Sequence, residues 1–462
     1  MSYSVDEGSG NVSAPLCRLL SSGRGRLYLS GIKGASMSSL ALALSDLGFC
    51  VIGSDASPLP SCALSRAEIS LYPENGEGLE GCDALVYSLA VSEQNPVRMR
   101  AKSLGVPEYS RPELLGALML LYSTRIGISG SHGKSTSVAM LASILRASGR
   151  EPTVFSGAEL PGADAGYILG RGECILYEAC EYKRAFLHFS PTCAIITSID
   201  LDHTDCYSSR EELYSAFLAS VRGAKQVILP GDDPELYGVL DALGERAITF
   251  GRGGGEHYCY HVVDSSLRGT LFTVKTPCTS LELWLATPGE HNVRNATAVL
   301  AAADTLGIPH SYIRTALAAF SGIGRRLEPI ARGKGITLYY DYAHHPKEIE
   351  ATLRTLGELY GRVAVVFTPH TYTRTRDLFD GFATSLALAE KAFIADIFPA
   401  REEPIPGVDS RRLAAAIPYA SYVGSPDDVI GKLGNFSGAL VLMGAGEFEG
   451  ALDVFKEYVN ER

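Results

Sequence analysis

RIGISGSHGKST, Arg125–Thr136, is the stretch whose reading decides the fold. Its apolar start reads as a β-strand ending near Ser129, and Thr136–Ser148 reads as an amphipathic helix, so the residues between them form a strand-to-helix turn. Glycines at 130 and 133 let backbone N–H groups converge on a phosphate, and the following helix N-terminus adds partial positive charge. Lys134 then reaches outer phosphates, and the Ser135 hydroxyl suits Mg²⁺. The candidate phosphate-binding set is Gly130, Ser131, His132, Gly133, Lys134, Ser135 and Thr136. The match is to G-x-x-G-K-[ST]; the longer form of the motif needs glycine at 128, where this chain has Ile128.

Outward from this turn, short aliphatic strands alternate with helical periodicity, the pattern of parallel sheets covered by helices. Upstream the strands read Leu27–Ser30, Cys50–Gly53 and Ala84–Ser88, with helices over Ser38–Leu47 and Pro112–Tyr122. Downstream come Ile175–Tyr177, Ala194–Ser198 and Val227–Leu229, then a less regular stretch around Thr270–Leu285. A new series begins with Thr337–Tyr340, Val363–Phe367, Ala392–Ala395 and Ala439–Met443, and SGIGRR, Ser321–Arg326, reads as the linker before it. The chain has 462 residues, which at about 150 per domain suggests three domains. The expected architecture is α/β with limits at 1–123, 124–323 and 324–462: a Rossmann-like parallel sheet, a P-loop ATPase-like α/β domain, and a second Rossmann-like domain.

Lys plus Arg number 41 against 52 Asp plus Glu, a net charge of −11, which argues against a general binder of nucleic acid or anionic membrane. Any anionic ligand must therefore find local positive charge. The longest compact apolar stretch, Leu114–Tyr122, falls short of the roughly 20 residues that cross a bilayer. The first twenty residues show no secretory pattern, so a soluble cytoplasmic protein is expected. None of the ten cysteines forms a Cys-x-x-Cys pair, which reads as reduced, buried thiols.

Further candidates stand just past strands. Glu178 follows ECILY and His203 follows CAIITSI, and a carboxylate and an imidazole beside a nucleotide suit metal binding. Asn292 and Asn295 stand three apart at the start of a helix, where one caps it or both reach a nucleotide. In the last series, Asp341, His344 and His345 follow one strand and His370, Arg374 and Arg376 the next, a cluster suited to an amino acid's charged groups. Near the start, LSGIKGASMSS offers Gly31, Lys33, Gly34 and Ser36, with Asp55 after the second strand. This reads as a diphosphate-binding turn or an ordinary one; its poor fit to G-x-G-x-x-G disfavours a hydride-carrying dinucleotide, and the lysine suits a nucleotide-sugar diphosphate.

In order, GIKGASMS, GSHGKST, EACEYKRAFL, DLDHTDCY, HNVRNA, GIGRRLE, DYAHHP, PHTYTRT, FPAREEPIPGV and MGAGEFE resemble the Mur ligase family, from about Gly31 to Gly450. The DYAHHP and PARE…PIPGV stretches are similar to its muramate-specific members. The resemblance implies a UDP-sugar domain, a central ATPase domain and an amino-acid domain. The implied activity is in peptidoglycan precursor synthesis: ATP activates the lactyl carboxylate of UDP-N-acetylmuramate as an acyl phosphate, which the amine of L-alanine attacks. It implies that Lys134 holds the β- and γ-phosphates, that Ser135 and Glu178 ligate one Mg²⁺ and His203 a second, and that Lys134, Glu178 and His203 are catalytic. Asn292, Asn295, Arg326 and Asp341 match ATP contacts, the last two from beyond the hinge; His344 and Arg374 match positions near the amino acid; Gly31, Lys33, Gly34, Ser36 and Asp55 fall in the UDP-sugar turn.

Two departures bear on the pockets: some members carry arginine where Thr371 stands and glycine where Ser36 stands. The alternatives are a sister ligase that reattaches a recycled tripeptide to the same UDP-sugar, and a UDP-sugar sensor without turnover.

Overall fold

The computed structural model describes residues 13–57, 62–163, 166–200, 206–400, 402–446, 448 and 450–460. The first sheet is wholly parallel. It comprises β1 (Arg26–Ser30), β2 (Cys50–Ser54), β3 (Ser70–Tyr72), β4 (Ala84–Tyr87) and β5 (Glu108–Ser110), in the order β3-β2-β1-β4-β5. The chain leaves β5 through a capping box, in which Ser110 and Glu113 satisfy each other's backbone N–H groups and start the helix Arg111–Met119.

The second sheet comprises β6 (Thr124–Ser129), β7 (Thr153–Phe155), β8 (Tyr167–Ile168), β9 (Cys174–Glu178), β10 (Cys193–Ile196), β11 (Gln226–Pro230), β12 (Ala247–Gly251), β13 (Tyr258–Ser266), β14 (Gly269–Lys275) and β15 (Ser280–Leu285). Their order is β15-β14-β13-β12-β11-β10-β6-β9-β7-β8, with β6 between β9 and β10 and parallel to both. Register pairs Ile128 with Glu178 and Ser129 with Ile196, so the turn after β6, the carboxylate ending β9 and the loop after β10 leave the sheet at one level. That is the end at which open parallel sheets bind ligands.

The third sheet comprises β16 (Glu328–Gly333), β17 (Ile336–Asp341), β18 (Val363–Phe367), β19 (Lys391–Ile394), β20 (Ala420–Tyr422) and β21 (Gly438–Met443), in the order β16-β17-β21-β18-β19-β20. β16 runs antiparallel to β17, and the other pairs are parallel. β18, VAVVF, is buried at every position, as a central strand covered on both faces must be.

The chain forms two compact units. One runs to His261 and includes Val274–Leu283 and Arg294–Ala319; the other is Val262–Thr273, Trp284–Val293 and Phe320–Arg462. Within the first unit an apolar core joins Leu29 and Leu44, on and beside the first sheet, to Phe186, Ile196 and Phe217, on and beside the second.

The expected strands and helices are present, with ends displaced by a few residues. Thr270–Leu285, expected to be less regular, instead supplies most of β14 and all of β15. Alternate burial of Thr270, Phe272, Val274 and then Leu281, Leu283, Leu285 is strand periodicity, masked in the sequence by Leu271 and Trp284 on the more open face and by the polar Thr270 on the buried one. Of the nine cysteines whose side chains are described, all free, Cys17, Cys82, Cys174 and Cys193 are buried, while Cys50 and Cys278 are exposed and depart from the expected burial. Among the described residues no helix is long and apolar enough to cross a membrane.

Candidate active site

After β6 the chain turns through Ser131 and His132 into the helix Lys134–Ala147. The loop is stapled to the segment after β10: Ser131 and His132 N–H groups donate to Ser198 O and Ser198 Oγ (3.0 Å each), and Asp200 N–H donates to Ser131 Oγ (2.8 Å). His132 Nε2 lies 3.3 Å from Asp200 Oδ2. Two glycines are sterically required. A Cβ at Gly130 would stand 2.2 Å from Thr197 Oγ1, and one at Gly133, where φ is +79°, would stand 2.5 Å from Asn295 Oδ1. Asn295 is thereby placed against the phosphate loop. Asn292 instead donates its amide back to the Pro288 carbonyl at 2.8 Å. Thr136 lies buried in the first turn of the helix.

Lys134 Nζ donates to Gly130 O (2.5 Å) and to both oxygens of Glu181 (3.0 and 3.1 Å). Burial alone would lower the pKa of this amine, but Glu181, with Cys180 and Glu178, reverses the effect and holds it above its ordinary value. Lys134 is therefore a fixed cation at neutral pH. Beside it, Ser135 Oγ donates to Glu178 Oε2 at 2.8 Å, and Gly157 N–H donates to the same oxygen at 2.9 Å. A hydroxyl and a carboxylate at this spacing form a hard-oxygen donor pair, which fits Mg²⁺. His203, the expected ligand of a second metal ion, lies outside the described residues.

At the end of the first sheet, Lys33 N–H donates to Asp55 Oδ2 (2.8 Å), Ser57 N–H donates to Asp55 Oδ1 (2.9 Å), and Lys33 Nζ donates to Ser57 O (2.5 Å). Lys33 and Asp55 thus close the β1 and β2 turns upon each other. Gly31 N–H donates to Ser54 O (2.9 Å), Gly34 occupies the N-cap of the helix Ala35–Asp46, and Ser36 is exposed in its first turn.

In the third sheet Asp341 ends β17 with both oxygens engaged, accepting from Leu327 N–H (2.8 Å), Ala343 N–H (2.7 Å) and Thr352 Oγ1 (3.2 Å); burial raises its pKa. It holds the backbone next to Arg326, whose guanidinium lies 5.1 Å from the Tyr342 ring centroid. His344 Nδ1 lies 3.0 Å from Tyr342 O, and burial pushes the imidazole's pKa down to about 4, so it is neutral at pH 7. The ring of His344 is 6.1 Å from that of His370, which accepts from Arg374 Nη1 at 3.1 Å. Thr371 caps the helix Tyr372–Asp377.

Comparison with known proteins identifies the family. The Mur ligase family catalytic domain matches residues 26–123, the Mur ligase middle domain 128–303, and the Mur ligase glutamate ligase domain 325–446. A curated relative from Caldicellulosiruptor saccharolyticus, named UDP-N-acetylmuramate--L-alanine ligase, is 37% identical over 84% of this chain and 87% of its own. The chain belongs to the Mur ligase family. Among solved Mur ligases, UDP-N-acetylmuramate-alanine ligase from Thermotoga maritima superposes with a TM-score of 0.79 at 26% identity, covering 94% of this chain and 99% of that one. A murein peptide ligase from Psychrobacter arcticus gives 0.69 at 25%, covering 95% and 99%.

Sequence reasoning about this Mur ligase missed Glu181, the Thr197–Asp200 staple and Arg111. An acidic residue in EACEYKRAFL looks like any loop carboxylate until the fold turns it onto Lys134. Its surroundings carry strain that a sequence does not display, since Lys183 and Arg184 are both left-handed, at φ 50° and 57°. Arg111 is half-buried, and the desolvation that lowers its pKa is opposed by the neighbouring Cys180 and Glu178.

Proposed function

We propose that this Mur ligase joins L-alanine to the lactyl carboxylate of UDP-N-acetylmuramate at the expense of ATP, releasing ADP and phosphate, in peptidoglycan precursor synthesis. The observation that carries the reading is the 37% identity over most of the chain to the Caldicellulosiruptor L-alanine ligase. The same reading assigns 1–123 to the UDP-sugar, 124–323 to ATP and 324–462 to the amino acid. It also assigns the activity to the cytoplasm, on the ground that ATP and a UDP-sugar are its substrates.

A carboxylate is a poor electrophile until one of its oxygens becomes part of a phosphate leaving group. One carboxylate oxygen attacks the γ-phosphorus, the bond to the bridging oxygen breaks, and ADP departs. The alanine nitrogen then attacks the acyl carbon, inorganic phosphate leaves, and the nitrogen gives up a proton. Lys134 would neutralise charge on the outer phosphates, and the helix N-terminus at Gly133 would receive them. Ser135 and Glu178, with His203 for a second ion, would hold Mg²⁺, which offsets the charge of the transferring phosphoryl group. Asn292, Asn295, Arg326 and Asp341 are assigned to the ATP site, Gly31, Lys33, Gly34, Ser36 and Asp55 to the UDP-sugar turn. Neutral His344 can accept a hydrogen bond from the amine and Arg374 can pair with the carboxylate of L-alanine.

The deciding measurement is phosphate release by the purified protein, with UDP-N-acetylmuramate present, when L-alanine or the recycled tripeptide is supplied. Release that depends on both UDP-N-acetylmuramate and L-alanine is expected; release with tripeptide alone selects the sister ligase, and binding without turnover selects a sensor. Lys134→Ala should lower turnover by about a hundredfold or more while UDP-N-acetylmuramate still binds.

A further inference from the structure

Glu348 lies at the third position of the helix Pro346–Tyr360, with its side chain 12% exposed. One oxygen, Oε2, accepts the His344 N–H at 3.1 Å and stands 3.5 Å from His344 Nδ1. The other, Oε1, stands 3.6 Å from Arg326 Nη1. A glutamate that only capped the helix would need the backbone contact alone; the approach to Arg326 is additional.

The two neighbours are themselves oriented. The Tyr342 carbonyl can only accept, so the nitrogen 3.0 Å from it, His344 Nδ1, carries the proton and Nε2 keeps the lone pair. The Tyr342 ring lies beneath the Arg326 guanidinium. Further charge reaches the group from Arg374, which acts on His344, and Arg326 and Glu348 both act on His291.

We propose that Glu348 is a positioning residue that holds Arg326 and His344 in a single register, so that the group assigned to ATP and the group assigned to the amine cannot shift independently. This rests on the proposed roles of those two residues. Neither contact touches a reacting atom, so Glu348 acts through its neighbours.

The test is Glu348→Gln in the full chain. The amide oxygen keeps an acceptor for the His344 N–H, while the charge facing Arg326 is lost. Calorimetric titration should show the Kd for Mg-ATP rising by about tenfold, the loss of one charge-assisted contact. The KM for L-alanine should rise by a similar factor, with that for UDP-N-acetylmuramate within about twofold. Glu348→Asp, which keeps the charge on a shorter stem, should recover part of the ATP affinity and also serves if the glutamine variant folds poorly. An unchanged Kd for ATP overturns the proposal, as does an equal loss for all three substrates, which marks a structural role. ATP binding needs no turnover. If the wild-type protein fails to consume L-alanine, the functional reading falls by itself, and the Kd comparison still decides the place of Glu348.

Discussion

Lys134, Ser135 and Glu178 were legible in the sequence because each follows a strand in a local pattern with a direct chemical meaning. Glu181, in contrast, becomes meaningful only through its distance to Lys134 Nζ, 3.0 Å. Charge placement by the fold also sets a pH dependence. Burial, reinforced by Arg326 for His291 and by Arg374 for His344, lowers both histidines from the ordinary 6.5 to about 4. Between those values the unfolded chain binds more protons than the folded one, so stability rises with pH across the window. The contribution is complete above about 6.5 and is lost as pH falls through about 4. Urea unfolding of the wild type and His291→Asn at a series of pH values should therefore give a shallower slope in the variant between those limits. Identical slopes would show that burial does not hold His291 neutral.

At the scale of elements, buried strands such as Val363–Phe367 were readable end to end, since a short run of β-branched and aromatic residues between Gly361 and Pro369 marks a strand. The edge strands Ser70–Tyr72, Glu108–Ser110 and Ala420–Tyr422 were not, because three residues are too few to display a period. The spacing of Asn292 and Asn295 left cap and ligand readings equal. In the fold their neighbours differ: Asn295 lies against the turn after β6, and Asn292 donates its side-chain amide to the Pro288 carbonyl. The contact between the loop and the helix Glu290–Thr305 can be measured. Gly133→Ala must adopt a left-handed φ of +79° and place a methyl 2.5 Å from Asn295 Oδ1. The left-handed conformation costs about 1–2 kcal/mol, and the clash adds to it. Gly133→Ala/Asn295→Ala should relieve the clash but leave the backbone cost, giving a coupling of about 1 kcal/mol in a double-mutant cycle of unfolding free energies. Strict additivity would separate the two residues.

For the whole molecule, three runs of strands and helices suggested three domains; the chain builds three sheets, and two of them meet in one compact unit. The first unit has a core that spans its two sheets, beside a further cluster around Tyr28 and Leu85: the helix Arg111–Met119 comes so close to the segment Tyr182–His188 that a Cβ on Gly116 would lie 2.2 Å from the His188 carbonyl oxygen. The third sheet has cores of its own, one around Phe367 and Phe382 and the other around Phe393 and Phe455, tied into one body by the strands that supply both. Elements that share a core lose their packing together, whereas elements with separate cores can melt apart. Scanning calorimetry should accordingly resolve two transitions. Phe186→Ala removes a ring packed 5.1 Å from Phe217 in the shared core, at a cost of about 3–5 kcal/mol, and should lower the Tm of one transition only. Phe382→Ala removes the partner 5.3 Å from Phe367 and should lower the other. Three transitions, with Phe186→Ala leaving the first sheet's melting unmoved, would mean that the shared core does not join the first two sheets cooperatively. A single transition lowered by both variants would mean that the two units unfold as one.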